Sequence, residues 1–424
     1  MIVLIAVLLA LAFLGVPIGY ALGAAGLSYF LVYHPELLVL LPERLFSGMN
    51  SSLLIALPLF MMMGLFMNEG NLTRRMIDLL MMLIGRVRGA LGLVNVLVSM
   101  VFGGISGSSV SDTASVGAIL IPEMERKGYS VEFACGCTVA SSTMGMIIPP
   151  SIPMLLFASL ASESVGKLFM GGLIPGVAIG IIQCLLTYRY AKRANVPIEK
   201  VEYRKEYVKT VLKEGILAII MPLVVIGFIV GGICTATEAA GIGALYALVV
   251  GKFVYHSLDG RKVWKIAKET VRTSATIMII IAFSCMFTWI LTLEGVTAQI
   301  LALFAGLHLS QVVVMLLCGL IILLAGCFLD VSPVIMLFTP VLLPVVTMAG
   351  GSAIQLGALM IVGTATGLVT PPVGMCLNVA STIAKRNILF IFRSALPFLL
   401  ANLIVMLLIS VFPFFSEWLP GLFA

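Results

Sequence analysis

Charge is scarce in this sequence. Of 424 residues only 10% are Asp, Glu, Lys or Arg, against 61% hydrophobic, and the mean hydropathy is +1.18. Soluble domains carry about 25% charged and about 45–50% apolar residues, so a water-soluble globular chain is excluded and an integral membrane protein is expected. At about 20 residues per helical span, the chain crosses a bilayer many times and has no room for an extramembrane catalytic domain. Histidine is nearly missing, with only His34, His256 and His308. The eight cysteines (Cys135, Cys137, Cys184, Cys234, Cys285, Cys318, Cys327, Cys376) sit in apolar stretches without CxxC spacing, where a free thiol behaves as a small hydrophobe rather than a ligand. There is no HExxH, and the serine-rich runs have no histidine partner, so the chemistry of an enzyme is not expected. The net charge of +6 is too small and too confined to loops to argue for nucleic acid. The first thirty residues lack a basic leader and carry an apolar run too long for a signal segment, so they read as a retained span.

Apolar runs predict spans near 2–31, 51–68, 131–160, 169–189, 215–233, 234–252, 272–292, 355–383 and 388–416. Two further stretches, 89–123 and 311–349, are too long for one crossing and are interrupted by GGISGSSVSD (103–112) and AGCFLDVSP (325–333). Broken backbone survives at membrane depth only when buried in protein or lining a wet cavity, so both read as re-entrant hairpins. With two hairpins, segments 69–88, 124–130, 189–214, 253–272 and 384–393 share one face and hold 22 of the 25 basic residues. Basic residues collect on the cytoplasmic side, which puts the N-terminus in the cytoplasm and the C-terminus outside. A single crossing in either stretch would swap every later loop and destroy the asymmetry. Segments 69–88 and 255–272 mix apolar and basic positions at helical spacing and suit helices lying in the interface.

A shift of 222 residues superposes the special positions of the two halves. Pro149-Pro150 falls on Pro371-Pro372, Gly145 on Gly367, Pro122 on Pro344, Gly104 on Gly326 and Gly19 on Gly241. The hairpins open toward opposite faces, so the repeat is inverted. Inverted repeats with interrupted helices in matching places point to a secondary transporter with a site near the midplane. The expected fold is all-α and polytopic, with two re-entrant hairpins and two discontinuous helices.

Each proline pair removes two amide donors and frees carbonyls upstream, and such oxygens suit a hard cation such as sodium. One cluster per half gives two cation sets: Gly104, Ser106, Gly107, Gly145, Ile148 and Ser151 in the first, and Gly326, Leu329, Gly367, Thr370 and Val373 in the second. Helix N-termini at the same breaks suit a substrate carboxylate. The polar substrate candidates are Ser108, Ser109, Ser111, Ser141, Ser142, Thr143, Thr366 and Asn378, with Asp330. Asp112, Asp330 and Glu238 stand out because an acid at membrane depth is costly. Asp330 suits either cation binding or a cap on its own hairpin's amides. Glu238, in TATEAAGIGA, suits a structural hydrogen bond.

The runs GGISGSSVSDTASVGAILIPEM (103–124), GMIIPPSIPMLLFAS (145–159), TATEAAGIGALYALV (235–249), CFLDVSPVIMLFTPVLLP (327–344) and GLVTPPVGMCLNVAS (367–381) resemble the large membrane subunit of tripartite ATP-independent periplasmic (TRAP) transporters. The resemblance covers essentially the whole chain. It implies an elevator-type, sodium-coupled importer of carboxylates, of the sialic acid or C4-dicarboxylate kind, in a bacterial inner membrane. It also implies a separate small four-helix membrane subunit and a periplasmic substrate-binding protein as partners. On this pattern 1–88 and 161–310 are scaffold with two arm helices, 89–160 and 311–383 form the transport domain, and 384–424 is a C-terminal helix. Stand-alone divalent anion/sodium symporters, which share the hairpins and repeats, are the alternative. A channel would need a continuous polar stripe or ring of charge, which two isolated acids do not provide.

Overall fold

The computed structural model describes residues 1–196, 198 and 205–423, with backbone alone at 103–106 and 205–207. The described residues form helices and connections without strands, and nine of the helices are long and apolar enough to cross a membrane. Both hairpins are present. Ala90–Ser106 turns at Gly107 into Ser109–Arg126, and Gln311–Phe328 turns at Leu329 into Val331–Met348. The second legs of the two hairpins coincide end to end under the 222-residue shift, as the repeat requires. Gly107 has φ +59, a conformation open to glycine at little cost.

Both discontinuous helices are present as well. Val131–Ser142 and Met144–Ile147 end at the extended residue Ile148, and Ile152–Ala161 resumes after Pro149-Pro150. Ala353–Gly367 gives way to turns around Pro371-Pro372, and Met375–Ala384 starts after Gly374. Both X-Pro bonds are cis. The apolar window within Val131–Ala161 is 83% buried, against 28% for that within Val208–Val230. The first broken helix is therefore the most enclosed of these spans, while Val208–Val230 lies mostly on the outside of the chain.

Three expectations fail. Residues 2–31 do not cross once. Ile2–Phe13 and Ile18–Tyr33 fold back on each other across Gly15, at φ +78, and Pro17. A hydrophobicity count does not register such a break, because Gly-Val-Pro leaves the run apolar. Met1 consequently lies 3.5 Å from Glu294, which also accepts from the Tyr29 hydroxyl at 2.8 Å. Glu294 follows the end of Gly260–Leu293 remote from its basic start, so Met1 lies on the face opposite the basic loops, not with them. Second, 255–272 is not a separate interfacial helix, since its helical part continues through the membrane span as the 34-residue helix Gly260–Leu293. Nothing between Arg272 and Ile281 is a glycine or proline that would break it. Third, the repeat mate of the arm helix Leu72–Ile84 is Val296–Leu307, which packs on the second hairpin as Leu72–Ile84 packs on the first.

In lipid, apolar burial does not drive helices together, and small residues and interhelical hydrogen bonds take over. Gly19, Gly23 and Gly26 form one stripe on Ile18–Tyr33. A Cβ on any of them would meet Ile280, Phe283 or Met286 at 2.9 Å or less, which is how Ile18–Tyr33 lies parallel and close to Gly260–Leu293. The arm Leu72–Ile84 is clamped by Arg75, whose Nη1 reaches Glu214 Oε2 at 2.5 Å and whose guanidinium lies 3.8 Å from the Tyr255 ring centre. Tyr255 donates in turn to the Glu214 carbonyl. Glu238 is structural, as expected: it closes a capping box with Thr235, accepting from the Thr235 backbone and hydroxyl at 2.8 Å each.

Candidate functional site

The two hairpin tips meet. Gly107 and Ser108 from one, and Asp330, Val331 and Ser332 from the other, line a single cavity of about 610 Å³. Met146 and Ile152-Pro153, on either side of the first proline pair, and Leu368, just before the second, complete the wall. Elements entering from opposite faces thus converge at one depth. Three helices begin at this wall: Ser109–Arg126 after Ser108, Val331–Met348 after Asp330 and Ile152–Ala161 after Ser151. Their N-terminal amides and dipoles favour an anion. Lys265, Lys268, Glu269 and Arg272 from the basic end of Gly260–Leu293 also line the cavity, which therefore lies open toward the basic face. A second cavity of about 330 Å³ reaches Asp330 and Leu329 from the other side, past Gly19 and Ile280.

Asp330 stands at the N-cap of Val331–Met348, where its carboxyl faces the Val331 amide of its own hairpin but makes no hydrogen bond to the amides deeper in the first turn, so the geometry leaves room for both a local and a ligand-facing role. Ser108 does cap: its hydroxyl accepts from Ser111 N at 3.4 Å. The two tips are chemically unequal, one neutral and capped, one acidic.

Of the substrate candidates, Ser108 and Asp330 line the cavity. Ser141, Ser142, Thr143 and Thr366 are buried and turned inward. Ser141 donates to the Thr138 carbonyl at 3.1 Å, Ser142 to Val139 at 2.8 Å, Thr143 to Ala140 at 2.7 Å and Thr366 to Val362 at 2.7 Å. Each is a helix hydroxyl satisfied by the preceding turn. Ser109 is buried, Ser111 is half-buried on the hairpin, and Asn378 is exposed and donates to the Val373 carbonyl at 2.8 Å. These seven hydroxyl and amide residues are not brought to the cavity wall.

The second cation set does gather. A Cβ on Gly367 would lie 2.5 Å from Gly326 C, so the hairpin backbone rests directly on the broken helix. Val373 N donates to the Cys327 carbonyl at 3.2 Å, and Thr370 donates through its hydroxyl to the Thr366 carbonyl at 2.9 Å and through its amide to Gly367 at the same distance. Leu329 ends the hairpin leg in extended conformation, with its amide on the Ala325 carbonyl at 2.9 Å. In the first set, Gly107 packs on the restart of the broken helix, where an added Cβ would meet Ile152 N at 3.0 Å. Ile148 is extended, and Ser151 donates to the Met146 carbonyl at 2.5 Å while accepting from Met154 N at 3.3 Å. Gly145 is buried one turn upstream. Gly104 and Ser106 lie outside the fully described residues. Among the described residues no three His, Cys, Asp or Glu side chains assemble, so a transition-metal site of that kind is not formed there.

Sequence reasoning passed over two residues at the centre. Asn402 Nδ2 donates to Thr143 Oγ1 at 2.9 Å and to Thr366 Oγ1 at 3.4 Å, and so joins the two broken helices. Gln183 donates to Asn402 Oδ1 at 3.3 Å and to the Ala140 carbonyl at 3.2 Å. Val165–Arg193 and Ile388–Val411, which carry them, are thereby tied to the broken helices. The signal was a lone amide in an otherwise apolar span, in ANLIV and IIQCLL. The lysines and arginine of 265–272 are visible in the sequence too, but the mixed apolar and basic spacing of 255–272 suits an interfacial helix and does not point to a cavity.

Comparison with known proteins agrees with this architecture. A family model described as "Tripartite ATP-independent periplasmic transporter, DctM component" matches residues 5–415. The sialic acid TRAP transporter large permease protein SiaM of Vibrio cholerae is 32% identical over 415 residues, covering 98% of this chain and 97% of that protein. The C4-dicarboxylate TRAP transporter large permease protein DctM of Pseudomonas aeruginosa is 33% identical over 401 residues, covering 95% and 94%. The 2,3-diketo-L-gulonate TRAP transporter large permease protein YiaN of Escherichia coli is 33% identical over 402 residues, covering 94% and 93%. Among solved structures, the Alcanivorax borkumensis YdaH transporter superposes with a TM-score of 0.62 at 17% identity, over 91% of this chain and 90% of that one, which is a likeness of fold. With hairpins, broken helices and a whole-length family match in agreement, the chain belongs to the DctM, or large permease, component of the tripartite ATP-independent periplasmic transporters.

Proposed function

We propose that the chain is the membrane-embedded carrier of a sodium-coupled importer of organic acid anions, of the sialic acid or C4-dicarboxylate type, in a bacterial inner membrane. The observation that carries the reading is the convergence of both hairpin tips and both broken helices on one cavity. Three helix N-termini and the cations Lys268 and Arg272 favour a carboxylate there, while Lys265 is engaged by Glu69 at 3.0 Å. The carbonyls around Gly326, Gly367 and Thr370, and those around Gly107, Ile148 and Ser151, are the oxygen ligands proposed for sodium. The positive-inside rule makes the basic face cytoplasmic, so the cavity opens inward and the C-terminus is periplasmic. Segments 89–160 and 311–383 carry the substrate as an elevator against the remaining helices. A small four-helix membrane subunit and a periplasmic binding protein that delivers the substrate complete the system.

The test is uptake into liposomes holding this chain and its small subunit. Import is expected only when the binding protein and an inward sodium gradient are both supplied. Robust uptake by this chain alone would assign it instead to the stand-alone symporters.

A further inference from the structure

Asp112 is fully buried in the second leg of the first hairpin, and apart from the Ser99 hydroxyl that faces it, its carboxylate oxygens find no hydrogen-bond donor among the described residues. One helical turn earlier on the same face, the Ser109 hydroxyl is likewise buried and without a partner. Ser99, on the first leg, faces the carboxyl, and its hydroxyl lies 3.2 Å from that of Ser141 on the first broken helix. Thr113 donates to Ser142 Oγ at 2.8 Å, and the buried thiol of Cys376, from the second broken helix, closes the nest beside these two. No lysine, arginine or histidine among the described residues pairs with Asp112.

A buried carboxylate without a counter-ion is one of the costliest arrangements in a protein. A proton would neutralise it and let the acid exchange hydrogen bonds with the neighbouring hydroxyls, so a proton is the competing occupant that the experiment must separate from a cation. A dehydrated cation would answer both the unpaired charge and the unpartnered Ser109 hydroxyl one turn away. Hard oxygen donors and a single negative charge select a monovalent ion over a transition metal. The repeat supplies a control. Under the 222-residue shift Ser99, Ser109, Asp112 and Thr113 fall on Ile321, Val331, Val334 and Ile335. The second hairpin therefore reaches the same fold with an apolar patch in this place, and the polar nest is not needed to build the hairpin.

We propose that Asp112, with Ser109 and Ser99, is a side-chain site for one sodium ion, distinct from the backbone-carbonyl sets at the two breaks and present in one repeat only. The inference deepens the sodium-coupled reading above and rests on it for its transport consequence. Because the nest touches both broken helices through Ser142 and Cys376, its occupancy is felt by both halves of the carrier.

The experiment follows thermal unfolding of the full chain in detergent as sodium chloride replaces choline chloride, a readout that needs no transport activity. The wild-type midpoint is expected to rise with sodium, and in Asp112→Asn the half-saturating sodium concentration should increase at least tenfold. Superimposable wild-type and Asp112→Asn curves would overturn the site. So would a wild-type rise that acid reproduces without sodium and that Asp112→Asn loses, since the carboxyl would then carry a proton. Where Asp112→Asn does not fold, Ser109→Ala decides: a several-fold weaker sodium response supports the site and an unchanged one removes it. Uptake that ignores sodium, beside a sodium-dependent midpoint lost in Asp112→Asn, would remove the coupled-import reading and leave the binding site standing.

Discussion

Gly367→Ala is the sharpest perturbation the geometry offers. The added Cβ would lie 2.5 Å from Gly326 C, 2.6 Å from Gly326 Cα and 2.9 Å from Cys327 N, all backbone atoms that cannot rotate aside. Ordinary carbon contacts are about 3.5–4.0 Å, so the hairpin must retreat by about 1 Å. Overpacking of this kind costs about 1–3 kcal/mol. The retreat also removes the 3.2 Å hydrogen bond from Val373 N to the Cys327 carbonyl, worth about 1 kcal/mol. If half of that total falls on the ion-bound state, apparent sodium affinity weakens about tenfold, at about 1.4 kcal/mol per decade. The assay pairs thermal unfolding in detergent with sodium titration of uptake, alongside Gly306→Ala, where an added Cβ meets nothing within 4 Å. Gly326→Ala, whose Cβ would come to 3.1 Å from Thr364 Cα, should fall between the two. Identical melting and sodium curves for Gly367→Ala and Gly306→Ala would refute the idea that hairpin and broken helix are rigidly seated on each other.

Thr370→Val keeps the shape and removes the hydroxyl that bonds the Thr366 carbonyl, so apparent sodium affinity should weaken about tenfold, on the ~1.5 kcal/mol scale of a hydrogen bond to a charged group. Ser159→Ala, whose hydroxyl reaches Ser51 at 3.4 Å away from both breaks, should leave the sodium curve in place, and equal curves for Thr370→Val and wild type would exclude Thr370 as a ligand. Asn402→Ala deletes the amide that joins Thr143 to Thr366 and should lower stability by about 1–3 kcal/mol, read as a lower unfolding midpoint. In a cysteine-free background, cysteines at Ile2 and Glu36 should be labelled from the periplasm and one at Arg261 from the cytoplasm. Cytoplasmic labelling at Ile2 would contradict the hairpin formed by residues 2–33.

The parts of this fold that were legible in the sequence are those whose physics is one-dimensional. A glycine-serine or proline interruption in an apolar run has few meanings in lipid, so both hairpins, both broken helices and the inverted repeat could be read from GGISGSSVSD, AGCFLDVSP and two proline pairs. Helix continuity was less legible, because the same rule fails where nothing marks the chain. Gly260–Leu293 passes from a charged face into the membrane without a breaking residue, while Gly15 and Pro17 break 2–33 inside an unvarying apolar run. Side-chain direction was least legible. Ser141, Ser142 and Thr143 sit one turn from the break and looked like ligands, but helical periodicity turns them into the packed interior. Lys265, Lys268 and Arg272 looked like interfacial charges, yet the long helix brings them to the cavity mouth.

On the proposed import cycle, how the cavity would change sides follows from what is already closed. Each hairpin is seated on its own broken helix, Gly107 against Ile152 and Gly326 against Gly367, at contacts too tight for an added methyl group. The first proline pair is buried and the second reaches the surface, so the inverted halves are not in equivalent surroundings although their backbones correspond. The opening toward the basic face is bounded instead by Lys265, Lys268, Glu269, Arg272 and Thr276 of Gly260–Leu293, a continuous helix that does not belong to the broken-helix unit. A carrier whose hairpins are both shut cannot exchange access by lifting one of them without breaking those backbone contacts. It can do so by sliding the unit of hairpins and broken helices along the long helix, with the arms Leu72–Ile84 and Val296–Leu307 each bearing on one hairpin. On the proposed import cycle the wall that moves is therefore the contact between hairpin tips and the 265–280 surface, and the seats inside each repeat stay shut while substrate and sodium travel together.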